Sequence, residues 1–143
     1  MVSENPKVTL LNLLKANVKV NKPDGNPAKV DFCFPFPEEE LPKRLAAYDA
    51  IVTVKMAAET CKPLGIGKTQ RQYKGEYAFE VWTKDEKLRF AINERIKELL
   101  KEKETSPGGV LKLVRKLNQQ DDDRVGSSTF LHSIIRVETW HYG

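Results

Sequence analysis

Tyr73-Lys74-Gly75-Glu76-Tyr77-Ala78-Phe79-Glu80-Val81-Trp82-Thr83-Lys84-Asp85-Glu86 carries the change of period that decides the fold. As far as Thr83 the residues alternate. Tyr77, Phe79 and Val81 fall on one side and Glu76, Ala78 and Glu80 on the other, the two-residue repeat of a half-buried strand. From Asp85 to Lys103 the repeat becomes about 3.6 residues, with Leu88, Ile92, Ile96, Leu99 and Leu100 in one stripe. Asp85 stands where a side chain can cap the first turn, so the spacing predicts a long helix over 85–103. Trp82 lies on the otherwise polar side of the strand, which points to a second layer or a partner there.

Upstream, Ala50 to Met56 is β-branched and apolar, the pattern of a strand buried on both sides. Residues 57–72 read as a loop around Pro63-Leu64-Gly65-Ile66-Gly67. Asn5-Pro6 followed by apolar residues at helical spacing predicts a short helix over 6–15. Val18 to Val20 and Val30 to Phe34 flank a turn-rich Lys22-Pro23-Asp24-Gly25-Asn26-Pro27 and read as a hairpin. The prolines between Phe34 and Pro42 remove ladder donors, so this segment reads as a loop with room for a helical turn after Pro42.

Downstream, Ser106-Pro107-Gly108-Gly109 ends the long helix. Val110 to Leu117 fits both periods, with the glycines and valines favouring a strand. The polar run Gln119 to Arg124 reads as an exposed connection. The last strand, Thr129 to His141, sets Leu131, Ile135 and Val137 against Phe130, Ile134 and Trp140. The expected architecture is α+β: one domain over 1–143, its core in 50–143, with a mixed, mostly antiparallel sheet. The long helix and the N-terminal helix pack on one face.

The 143 residues are 40% apolar, enough for one core, and disfavour wholesale disorder. Lys and Arg number 24 against 20 Asp and Glu, a net charge of +4. Over residues 84–104 seven basic side chains face six acidic ones, so the long helix presents a mixed solvated surface rather than a cationic one. No stretch approaches the ~20 apolar residues that span a bilayer, and no signal-like apolar run is evident; a soluble, unsecreted chain is expected.

Gly65-Ile66-Gly67-Lys68-Thr69 lacks the first glycine of a phosphate-binding loop, because Lys62 occupies that position, and it leads into a strand rather than a helix. Cys33, Cys61, His132 and His141 match no zinc-ribbon or finger spacing. Neither cysteine, nor Ser127-Ser128, sits in a nucleophile signature. Glu38-Glu39-Glu40 and Asp121-Asp122-Asp123 read as solvated charge. No catalytic residue, metal or other cofactor is therefore expected. Cations gather at Lys62, Lys68, Arg71 and Lys74 and again at Lys112, Arg115 and Lys116, which leaves a small nucleic-acid-binding domain as the alternative function.

The succession Val52 to Met56, Lys62-Pro63-Leu64-Gly65-Ile66-Gly67-Lys68, Tyr73 to Glu86, a charged helix, an Asp-rich connection and His132 to Gly143 resembles the tail terminator and head-to-tail joining (neck) proteins of long-tailed phages and archaeal tailed viruses, including proviruses. The resemblance spans residues 50–143. The proline-rich stretch 34–42 has no counterpart in it. It implies a non-enzymatic virion protein, assembled in the host cytoplasm as a homo-oligomeric, commonly hexameric ring. Such a ring caps the tail tube, meets the head connector and lets DNA pass. On that reading the loop Pro63, Leu64, Gly65, Ile66, Gly67 and Lys68 and the acidic Asp121, Asp122 and Asp123 are candidate contacts. Trp82, Phe130, Ile134 and Trp140 form a candidate apolar face between subunits, because large apolar patches are uncommon on monomers. A second layer supplied by residues 6–48 would cover the same face within one chain.

Overall fold

The computed structural model describes residues 5–63, 71–109, 111–125 and 129–142. The elements run α1 (Pro6–Asn17), β1 (Val30–Cys33), a 3-10 turn at Glu38–Glu40, α2 (Leu41–Ala47), β2 (Ala50–Pro63), β3 (Arg71–Thr83), α3 (Glu86–Glu102), β4 (Leu113–Val125) and β5 (Thr129–Tyr142). One five-stranded sheet has the order β1-β2-β3-β5-β4. Only β1 and β2 are parallel; the other three pairings are antiparallel. The fold is α+β with a mixed, mostly antiparallel sheet, as the periodicities require.

The core lies between α1 and α3 and one face of the sheet. Leu10, Leu14 and Val18 from the first helix and its cap join Leu88, Ile92, Ile96, Leu99 and Leu100 over Val52, Val54, Tyr77, Phe79, Val81, Ile135 and Val137. Each such side chain contributes on the order of 1.5–3 kcal/mol by leaving water. Asp85 caps α3 as its position predicts, accepting from the amides of Lys87 and Leu88 at 2.9 and 3.4 Å. Asn5 caps α1 in the same way, and Pro6 occupies its first turn.

Three local expectations are corrected, and the strand favoured for the segment after the long helix is found. Val18 to Val20 does not form a hairpin with β1; β1 instead pairs in parallel with Ala50 to Thr53, and the turn-rich segment closes only on an Asn21–Pro27 bridge. Parallel strands need a crossover, and α2 supplies it. Of the loop expected over 57–72, the described residues 57–63 and 71–72 are strand: a bulge between Met56 and Ala58 lets β2 continue to Pro63 opposite Arg71. Val110 to Leu117 resolves as strand from Leu113 onward. The polar run Gln119 to Arg124 continues that strand rather than connecting to the next, because β5 offers a full ladder to pair with. An edge strand accepts such a polar run since only one of its sides is paired.

Candidate subunit-contact surfaces

The sheet face opposite α1 and α3 divides into two halves. At the end near β1, α2 lies on it: Leu41 and Leu45 pack with Ile51, Trp82 and Phe130, with Cys33 and Phe36 at the margin. Pro42 suits the first turn of this short helix, and the spacing of Leu41 and Leu45 puts both on its inner side. Trp82 and Phe130 are each only 7% exposed. Their expected place on a face between subunits is therefore corrected, because a second layer from residues 6–48 covers them within the chain. Ile134 and Trp140, further along β5, are half-buried.

Beneath α2 the sheet carries polar groups. His132 is 1% exposed and stacks on Trp82, with its Nε2 3.3 Å from Glu80 Oε1. Thr53 is equally buried, and its hydroxyl finds no hydrogen-bond partner among the described residues. On the opposite face Asn93 of α3 donates to Ser133 at 2.9 Å, and Ser133 donates to Asp121 at 2.7 Å, which ties α3, β5 and β4 together. Sequence reading missed this chain of hydrogen bonds. Asn93 breaks the apolar stripe of α3 and was the available signal.

The other half of the open face is bare and charged. Strand register places Lys55, Lys62, Lys74, Arg115 and Arg136 on it, with Glu76, Glu138 and Trp140 among them. Glu138 is 3% exposed and organises the centre of this half. It accepts from Trp140 Nε1 at 2.6 Å, and its carboxylate lies 3.3 Å from Arg115 and 3.6 Å from Lys74. Burial pushes its carboxyl pKa up. The hydrogen bonds from Trp140 and Arg115 and the charges of Arg115 and Lys74 outweigh that, and the net shift is downward.

Of the expected loop contact, Pro63 ends β2, while Leu64, Gly65, Ile66, Gly67 and Lys68 lie outside the described residues. Asp121, Asp122 and Asp123 pair with Ser133, His132 and Leu131 as part of β4, not as a connecting loop. Of the first cation cluster, Lys62 and Lys74 share the bare face while Arg71 falls on the other. Cys33 lies at the β1 edge and Cys61 far along the β2–β3 hairpin. Both thiols are free, and among the described residues no three His, Cys, Asp or Glu side chains cluster as metal ligands. Among the same residues no helix is long and apolar enough to cross a membrane.

Two long strand edges remain. β1 covers β2 only from Ala50 to Thr53, so ten residues of β2, from Val54 to Pro63, border no other strand on their outer side among the described residues. β4 is the opposite edge along its 13 residues. Each edge carries a bulge, between Met56 and Ala58 and between Lys116 and Asn118, and each carries charges. Bulges and charges of this kind suppress indefinite strand addition at a sheet edge. A scan against protein-family models finds no match, and a search of curated proteins finds none either.

Proposed function

We propose that this chain is a non-enzymatic structural protein of a virus tail or neck, which assembles head to tail into a ring that closes the tail tube and meets the head connector. The order of elements and the resemblance of residues 50–143 to tail terminator and neck proteins motivate the reading. The observation that carries it is the pair of long exposed edges on opposite sides of one sheet, β2 beyond Val54 and β4 throughout. A subunit with two different surfaces at opposite edges makes heterologous contacts, and these close into a ring when the rotation allows. The ring belongs to the virion and forms in the host cytoplasm, with tail tube protein and head connector as its partners and DNA passing through its lumen.

Native mass spectrometry and sedimentation over a range of concentration and salt, with and without tail tube protein, test this. A closed oligomer is expected. A strict monomer under every condition overturns the reading.

A second reading is favoured by Lys62 and Lys74 beside Trp140, which together with Thr60 and Gln72 line one shallow depression. Cations next to an indole suit a phosphate backbone with a stacked base. Binding to single-stranded DNA or RNA that falls steeply with salt supports that function, and absence of binding at low salt removes it.

A further inference from the structure

The proposed ring needs two complementary surfaces on one chain, and the structure offers a pair. Between the C-terminal half of α3 and the edge strand β4 runs a groove of about 430 Å³, lined by Lys97, Leu100, Lys101, Glu104, Arg115 and Lys116. Four of these side chains are cationic and one is acidic. Lys97 is engaged by Glu94 at 2.9 Å and Arg115 by Glu138, whereas Lys101 and Lys116 are exposed and have no ion pair among the described residues. Leu100, 3% exposed, lies at the floor of the groove beneath the aliphatic stems of its lysines.

At the other edge of the sheet, immediately after β1, the chain runs Phe34-Pro35-Phe36-Pro37-Glu38-Glu39-Glu40. It carries three acids and no cation. Phe34 is 40% exposed, a large apolar side chain held out beside Lys7, whose ammonium lies 4.9 Å from the ring centre. Glu39 is exposed and has no ion pair among the described residues. The two prolines restrict the backbone beforehand, so docking this segment loses less conformational freedom than docking an ordinary loop.

We infer that the groove between α3 and β4 receives the Phe34–Glu40 segment of a second copy of this chain, with Glu39 set against Lys101 and Lys116 and Phe34 against the lysine stems over the groove floor at Leu100. The inference rests on the ring reading and names its contact. Charge complementarity selects the occupant: the groove is basic, the segment is acidic and apolar, and the two lie at opposite edges of the same sheet. A contact of this kind uses a different surface on each copy and therefore propagates around a ring.

The test uses two full-length variants, Lys101→Glu/Lys116→Glu and Phe34→Ser/Glu39→Gln, so that the altered groove and the altered segment do not attract each other. All four positions are solvent-exposed, and unchanged circular dichroism and thermal midpoint check that each variant folds. Each alone is expected to need at least about tenfold higher concentration than the wild type to assemble. Mixed in equal amounts they are expected to form a dimer and nothing larger, since the pair retains one intact groove and one intact segment. Assembly of both variants at the wild-type midpoint overturns the contact and leaves the ring reading standing; a wild-type chain that never assembles overturns both. Loss of assembly in the groove variant alone shows that the groove holds some other segment. Loss of single-stranded DNA binding in that variant, with assembly unchanged, shows that the groove is a phosphate site. Either of these outcomes overturns the inference.

Discussion

The indole of Trp82 lies face to face with the imidazole of His132, ring centres 3.8 Å apart and planes 17° from parallel, on neighbouring strands whose register pairs the two residues directly. α2 seals the pair from water through Leu41 and Leu45. Trp82 thus belongs to the stability of the single chain. Trp82→Ala is expected to lose about 3–5 kcal/mol in urea unfolding of the monomer, the range for emptying a buried aromatic site. A variant that keeps wild-type monomer stability but no longer assembles would instead place Trp82 between subunits.

Gly75 makes a tighter demand. A Cβ there would lie 2.7 Å from Tyr77 Cε2 and 2.9 Å from Thr139 Oγ1, because the Tyr77 ring folds back over the glycine. Gly75→Ala is expected to cost about 1–3 kcal/mol from overpacking. In Tyr77→Leu the ring is gone, and the same Gly75→Ala change should cost measurably less; additive losses would show that the ring is not the obstacle.

These two sites mark where sequence reading succeeds and where it stops. The switch of period between Thr83 and Asp85 was legible because one face of β3 and one stripe of α3 share a core, and burial writes itself into composition. The outer parts of β2 and β4 were not legible. Met56 to Lys62 and Arg115 to Asn118 are exposed, so neither alternation nor apolar content marks them as strand, and pairing with β3 and β5 decides their conformation. Trp82 raised the right question about the open face, and Phe130 shares its burial. The answer lies in α2, a seven-residue helix whose only pattern is Leu41 and Leu45 and which the sequence marks only as room for a helical turn after Pro42. The basic groove joins Lys101 to Lys116 across a chain reversal, a proximity that only the tertiary structure supplies.

The two thiols should behave differently. Burial pushes the Cys33 thiol up to about 11, with the Asp31 charge adding and the Arg44 charge opposing, while Cys61 stands exposed on β2. The thiolate is the reactive form, so a disulfide reagent at mildly alkaline pH should modify Cys61 rapidly and the half-buried Cys33 in a much slower second phase. Cys61→Ser should remove the fast phase. A fast phase surviving in that variant would mean that Cys33 is more open than its packing beside α2 indicates.

Acid should loosen the bare half of the sheet through Glu138. Its carboxyl sits below the ordinary value of 4.5 in the folded chain, because Trp140, Arg115 and Lys74 outweigh the burial that pushes the other way. A carboxylate with a depressed folded value binds protons more readily when unfolded. Its contribution to stability is present above 4.5 and is lost as pH falls from there through the lower folded value. Glu138→Gln keeps the shape and an acceptor for Trp140 but cannot titrate. The wild-type advantage over this variant, measured as the difference in urea midpoint, should be constant near neutral pH and shrink steadily below 4.5. A difference that stays flat across that window would show that the arginine, the lysine and the indole do not hold the charged form, and that the contacts to Glu138 serve shape alone.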